Sequence, residues 1–344
     1  MSNVRTAADA MRRLEELAAE ISSKKADASA EAKKQATAYN VAFWEHMHTG
    51  LPQNSLKVGS DGAGGYLVPD TYEERLVQAL AQENVLRQIA TTIPTTTKMH
   101  IPVANGLTEA ASWIIEGEPW TINEATFGEV VLDAYKLATS ILASDEMLED
   151  GGVDVEKHIE TFFVERIGKA EEIAFVRGNG KGKPLGLIHQ AEVGAMTEDE
   201  GDIGIDDMIN LEYSLSQPYQ ENAVWLMSYD AYAKLRRIRH YQGRPLWNTN
   251  LQEGEPEYLF GYRIYICKAM DNVVPGGIPV MFGDFSNYWI GDRGKRVIKR
   301  LVERYADRGQ VAFITSERVD AKLMLPEAIK MLEVRGTPAA NPEE

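Results

Sequence analysis

The sequence predicts an α+β fold organised around one long helix, and three stretches predict it. Residues Asp154 to Arg177 carry apolar side chains at helical spacing. Phe127 to Leu142 is a single run rich in β-branched and aromatic residues. Residues 260–290 hold short apolar runs joined by glycine-rich turns. Helical and strand patterns that come in blocks, without regular alternation, point to α+β architecture.

The long helix is the clearest signal. Asp154 is a suitable N-cap, because its carboxylate can accept from the free amides of the first turn. Val155, Ile159, Phe162, Phe163, Ile167, Ala170 and Ala174 then recur at helical spacing. Glu156, Lys157, Glu160, Glu165, Lys169 and Glu172 are read as a solvated face between them. Gly178 is read as a left-handed stop. At about 1.5 Å per residue this helix runs roughly 35 Å, long enough to serve as a spine.

The first 60 residues differ from the rest. Ala7, Ala10, Met11, Leu14, Leu17, Ala18 and Ile21 form a narrow stripe, an amphipathic helix too brief to hold a coiled coil alone. Phe43, Trp44 and Met47 make an apolar patch, and residues 52–65 are a polar, glycine-rich linker or arm. Thr71 with Glu74 reads as a capping box opening a helix that buries Tyr72, Leu76, Ala79, Leu80, Leu86 and Ile89.

Met99–Val103, Ala111–Ile115 and Phe127–Leu142 follow as strands, with an irregular segment, Glu116–Trp120, between them. A long two-stranded excursion is not stable in water alone, and its open edges invite another chain. The alternative is that these strands join an ordinary internal sheet. After the spine, residues 191–203 are polar. Asp206 is expected to cap a helix carrying Met208, Ile209 and Leu215, and Ser228 one carrying Tyr232, Leu235 and Ile238. Val224–Met227, Phe260–Cys267, Pro279–Phe282, Tyr288–Ile290, Val297–Leu301, Gln310–Val319, Lys322–Leu325 and Ala328–Glu333 read as strands, and Gly336–Glu344 as a disordered tail.

Composition excludes several functions. The formal charge of −16 over 344 residues argues against a surface that clamps nucleic acid by neutralising phosphates. The single cysteine, Cys267, excludes an internal disulfide framework and reads as a small buried side chain. No apolar run approaches the ~20 residues of a membrane span, and no secretory signal core opens the chain, so a cytosolic site of synthesis is expected. The turn Gly178–Pro184 is rich in glycine and lysine but follows a helix, whereas a phosphate loop precedes one; Pro184 also stands where a magnesium-binding Ser or Thr belongs.

No Gly-x-Ser-x-Gly or His-Glu-x-x-His pattern occurs, and His46 and His48 would not share a helix face. Asp145, Glu146, Glu149, Asp150 and Asp154 read as helix-end acids rather than a calcium loop. Arg236, Arg237, Arg239 and His240 read as a solvated helix end rather than a nucleic-acid contact. The expectation is no enzyme, no cofactor and no metal.

A set of landmarks stands in order along the chain: Gly64-Gly65-Tyr66-Leu67-Val68-Pro69, the long helix running into Ala174-Phe175, Gly178-Asn179-Gly180, Pro184-Leu185-Gly186-Leu187-Ile188, Leu259-Phe260-Gly261-Tyr262 and Gly283-Asp284-Phe285. This set resembles the tailed-bacteriophage major capsid proteins, whose fold is the Hong Kong ninety-seven-type capsid fold, over roughly Phe43 to Val334. The resemblance implies a helical assembly segment and arm (1–60), an arm-to-body junction (61–98) and an extended β loop with peripheral strands (99–144). It further implies a peripheral spine and turn (145–204), an axial domain (205–292), returning peripheral strands (293–335) and a tail (336–344).

The same resemblance implies a structural protein that self-assembles into pentamers and hexamers of an icosahedral head. The head would enclose double-stranded DNA bound non-specifically, with a portal, scaffolding protein or maturation protease as further partners and no membrane. The β loop would lie on a neighbouring subunit, with Trp113, Glu116, Glu118 and Trp120 as contact residues. Cleavage would fall near Asn54 and Ser55. Residues 99–135 contain no lysine, so the donor some relatives use to crosslink subunits is missing from the loop. Two other readings compete: an encapsulin shell, and a nucleotide-dependent enzyme using the Gly178 turn.

Overall fold

The computed structural model describes residues 34, 36–50, 60–61, 65–105, 126–149, 155–238 and 257–336. In chain order these form α1 (residues 36–49), β1 (Ser60–Asp61), β2 (Gly65–Leu67), α2 (Asp70–Glu83), α3 (Val85–Ile89), β3 (Thr91–Thr95), β4 (Met99–Asn105), β5 (Thr126–Leu132) and β6 (Tyr135–Ser144). Next come α4 (Asp145–Glu149), α5 (Val155–Arg177), β7 (Glu192–Met196), α6 (Ile205–Ser214), α7 (Gln217–Gln220), β8 (Val224–Met227) and α8 (Tyr229–Arg237). The chain finishes with β9 (Tyr258–Leu259), β10 (Tyr262–Ile266), β11 (Val280–Gly283), β12 (Tyr288–Arg293), β13 (Val297–Leu301), β14 (Gln310–Leu323) and β15 (Ile329–Glu333). Two compact units result: Met1–Leu76 with Ser140–Glu160 and Lys295–Thr315, and Val77–Thr139 with Thr161–Gly294 and Ser316–Glu344.

In the first unit, α1 buries Phe43 and Met47 completely. Trp44 lies edge-on to Tyr72 at 4.9 Å between ring centroids, so the patch noted in the sequence is core rather than arm. β2 pairs with β1 and β13, with Val297 opposite Leu67. Arg296, almost fully buried, donates to Glu73 at 2.6 Å. The helix α2 starts at Asp70, with the Pro69 carbonyl accepting from the amides of Tyr72 and Glu73. Thr71 therefore sits inside the helix and not at its cap.

In the second unit, one sheet runs β7-β15-β11-β8-β10-β9. Its inner strands are apolar on both faces. Trp225, Met227, Val280, Phe282 and Leu332 join Met208, Leu211 and Leu235 in one core. The alternate residues Leu226, Met281 and Met331 join Phe175, Val176, Leu187, Tyr288 and Ile290 in the other. That period-2 division explains why these strands read as continuous apolar runs. β12 pairs parallel to β3 and antiparallel to β14 in the same unit, and β4 pairs with β5 as a separate hairpin.

Several elements differ from expectation. The helix read from Thr71 to Ile89 is two, because the Asn84 side chain accepts from the Leu86 amide (3.0 Å) and starts α3 afresh. The run Phe127–Leu142 is likewise two strands, broken where the Asp133 amide donates to Asp320 Oδ2 (2.8 Å) and its carboxylate accepts from the Ala134 amide. The polar stretch 191–203 contains the edge strand β7. Gln310–Leu323 is one strand of 14 residues, not two. The N-cap of α6 is Gly204, not Asp206, and the carboxylate of Asp207, three residues on, accepts from the Gly204 and Glu198 amides. Ser228 caps α8 as expected, accepting from the Ala231 amide. Asp154 lies outside the described residues, as does the stripe from Ala7 to Ile21.

Candidate functional site

The turn after α5 is closed by its own backbone. The Gly178 amide donates to the Ala174 carbonyl (2.8 Å), the Gly186 amide donates to the Gly178 carbonyl (2.8 Å), and Asn179 bridges to Leu185. Gly180 and Gly182 have positive φ, but Gly178 does not. Glycine is required at 178 for a different reason: a Cβ there would collide with the carbonyl oxygens of Pro184 and Ala174. The helix presents carbonyls to this turn, the wrong polarity for a phosphate. The cavity beside it, lined among others by Tyr135, Glu171, Phe175 and Pro184, holds about 50 Å³. Sites for small organic ligands are roughly 300–1,000 Å³. A larger hollow of about 510 Å³ is lined by Arg300–Arg304, one strand-to-turn corner, rather than by groups converging from several elements.

The spine carries two buried acids that sequence periodicity did not reveal. Glu171 accepts from Arg87 Nε (2.7 Å) and Nη2 (2.5 Å), and the same guanidinium donates to both carboxylate oxygens of Asp292 (3.0 and 2.9 Å). Burial works against the Arg87 charge, but the attraction and hydrogen bonds of Glu171, then of Asp292, outweigh it and hold its pKa above the ordinary value. This cluster ties α3 to α5 and β12.

Glu172, expected on the solvated face, is buried. Desolvation raises its pKa, while the Cys267 thiol and Lys268 work in the opposite direction. Cys267 is buried as expected, and burial together with the neighbouring Glu172 pushes its thiol pKa up, which makes it inert rather than nucleophilic. Among the described residues, no group of three or more His, Cys, Asp or Glu side chains is placed to hold a metal ion, and no helix is long and apolar enough to cross a membrane.

The surface offers more than the interior. β4 and β5 pair only with each other among the described residues, and their His100–Glu129 pair (2.6 Å) is exposed. Exposed apolar side chains occur on β7 (Val193, Met196) and at the opposite end of the same sheet (Tyr258, Phe260). Arg236 and Arg237 end α8; Arg236 donates to Tyr232 Oη (2.7 Å), a tyrosine that in turn donates to Glu257 (2.5 Å). Arg239 and His240 lie outside the described residues, as do Trp113, Glu116, Glu118, Trp120, Asn54, Ser55 and Asp150.

Comparison with known proteins extends this picture. The model of the phage capsid family matches residues 64–334. The major capsid protein of Klebsiella oxytoca phage phiKO2 is 27% identical over 253 residues, covering 68% of this chain and 57% of that protein. The chain thus spans little more than half the length of that relative. Among solved structures, the capsid of an empty GTA particle is 26% identical with a TM-score of 0.64, covering 74% of this chain and 90% of the other. A protein of Mycobacterium phage Bobi, 20% identical with a TM-score of 0.56, covers 74% of this chain and 91% of its own, a likeness of fold alone.

Proposed function

The chain belongs to the phage capsid family, and from that premise we propose that it is the major capsid protein of a phage. In this reading copies of the chain assemble into pentameric and hexameric capsomers of an icosahedral head around double-stranded DNA. The observation that carries it is the family match across residues 64–334, which runs through both compact units. The protein works by many interfaces repeated by symmetry and not by chemistry at one site. The net charge of −16 suits a shell that surrounds DNA without gripping its phosphates. The GTA capsid at 26% identity favours a head over an encapsulin compartment.

The hairpin β4–β5 supports the assembly role. Its strands have no other strand beside them among the described residues, and two strands alone are marginal in water. Residues 106–125 join them, so Trp113, Glu116, Glu118 and Trp120 are placed, in this proposal, on a neighbouring subunit. A portal, a scaffolding protein and a maturation protease cutting near Asn54 and Ser55 are further proposed partners, with assembly in the host cytoplasm. The test is deletion of residues 106–125, with a short glycine linker joining β4 to β5. The subunit is expected to keep its thermal midpoint and lose shell closure in sedimentation. A collapsed midpoint would place the segment in the subunit's own core.

A further inference from the structure

Among the described residues the six-stranded sheet of the second unit ends at β7 on one side and β9 on the other, and each end carries exposed apolar side chains. At one edge, β7 leaves Val193 and Met196 51% and 55% exposed. β7 contains no proline and no lysine, although Gly194 bulges out of its pairing with β15, and among the described residues β15 is its only strand partner. At the other edge, β9 and the turn to β10 leave Tyr258 and Phe260 47% and 41% exposed.

Phe260 is held in an unusual conformation. It is the only non-glycine residue with positive φ among the described residues, at 52°, followed by Gly261 at 87°. Leu259 pairs with Tyr262, so these two residues form the whole connection. Two-residue hairpins with positive φ at both positions strongly favour Asn-Gly, and a bulky aromatic at the first is strained. The strain is fixed from below: fully buried Trp225 donates its indole N–H to the Leu259 carbonyl (3.0 Å) and meets the Phe260 ring edge-on at 6.5 Å. The tip is therefore a rigid base carrying an aromatic ring that its own subunit covers incompletely. Strained residues of this kind concentrate where function requires them.

Charge distinguishes the two edges. Exposed Glu198, Asp199 and Glu200 follow β7, while exposed Arg237 and Arg263 lie on the elements next to β9, where Arg236 is already paired with Glu257 (3.7 Å). We propose that the Phe260 tip of one subunit docks against the β7 edge of a second copy of this chain, contacting Val193 and Met196 head to tail. A contact between two different patches of one chain closes into a ring when the rotation permits, and opposite charge on the two sides sets the direction. This inference rests on the self-assembly reading above and assigns it a specific contact.

The decisive variant is Phe260→Asn, which installs the favoured turn pair while removing the ring. The soluble subunit is expected to keep or raise its thermal midpoint, while the concentration at which assembly begins rises about tenfold or more, as loss of an aromatic hot spot requires. A lowered midpoint with unchanged assembly would make Phe260 a packing residue of its own subunit and overturn the proposal. The second arm leaves the tip in place. A Glu198→Cys, Tyr258→Cys double variant, which keeps Phe260, Val193 and Met196, assembled and treated with a short bismaleimide, should give a ladder of crosslinked subunits; each single variant should not. Buried Cys267 does not compete. Shells that form without a ladder would overturn the contact and leave the shell reading intact. Failure of the unaltered protein to assemble would remove the shell reading and this contact with it.

Discussion

Arg87→Ala tests how the spine is held to its neighbours. The substitution removes four hydrogen bonds at once, two to Glu171 and two to Asp292. The two acids lose different amounts. The Asp292 side chain is 20% exposed and recovers some hydration, whereas that of Glu171 is fully buried, with both oxygens turned to Arg87. Leaving such a charge buried and unpaired costs about 3–5 kcal/mol. A domain of this size loses roughly 2–4 °C per kcal/mol, so the thermal midpoint of the soluble subunit should fall by roughly 6–20 °C. Circular dichroism melts at neutral pH measure it. Replacing the whole cluster by apolar residues, R87M with E171M and D292L, should recover most of the loss, because a buried ion cluster is not itself strongly stabilising. A loss below about 1 kcal/mol for the single variant would refute the reasoning, since it would mean that water reaches Glu171 freely.

Three other perturbations follow from the same geometry. Glu172 has a folded-state pKa above its unfolded value, so its stabilising contribution is complete below the unfolded pKa and is lost as pH rises through the folded one. Glu172→Gln should therefore raise the thermal midpoint more at pH 8 than at pH 4; equal shifts at both would contradict the buried carboxylate. Gly178→Ala should cost about 1–3 kcal/mol by driving a methyl into two carbonyl oxygens, measured by urea unfolding, and calorimetry with ATP should show no binding to either form. Deleting residues 2–33 should leave the midpoint unchanged. Deleting 2–50 should lower stability by about 3–6 kcal/mol through loss of buried Phe43 and Met47 alone, and equal melts for the two truncations would show that α1 is not core.

What the sequence made legible was periodicity. The spine, the buried strands β8 and β11 and the Ser228 cap follow directly from spacing and from one side chain beside a helix start. The rest depended on tertiary partners that spacing does not encode. Glu172 falls among charged residues and reads as solvated, yet it is buried, hydrogen-bonded to the Cys267 thiol. Arg87 looks like a surface residue of a short helix until Glu171 and Asp292, far away in sequence, are brought to it. Gly178 reads as a left-handed stop, but it is needed for close approach, and the two kinds of glycine look the same in a sequence. The stretch holding β7 reads only as polar because Glu192, Gly194 and the acidic turn after it outweigh Val193 and Met196. The strain at Phe260 has no sequence signal beyond a phenylalanine where Asn would be easier.

The central claim is self-assembly through repeated interfaces, and electron microscopy of the purified protein tests it most directly. Rings of subunits or closed shells of uniform diameter are predicted, held without covalent ladders in denaturing gels. A strictly monomeric species, seen also by light scattering across salt and protein concentration, would contradict it.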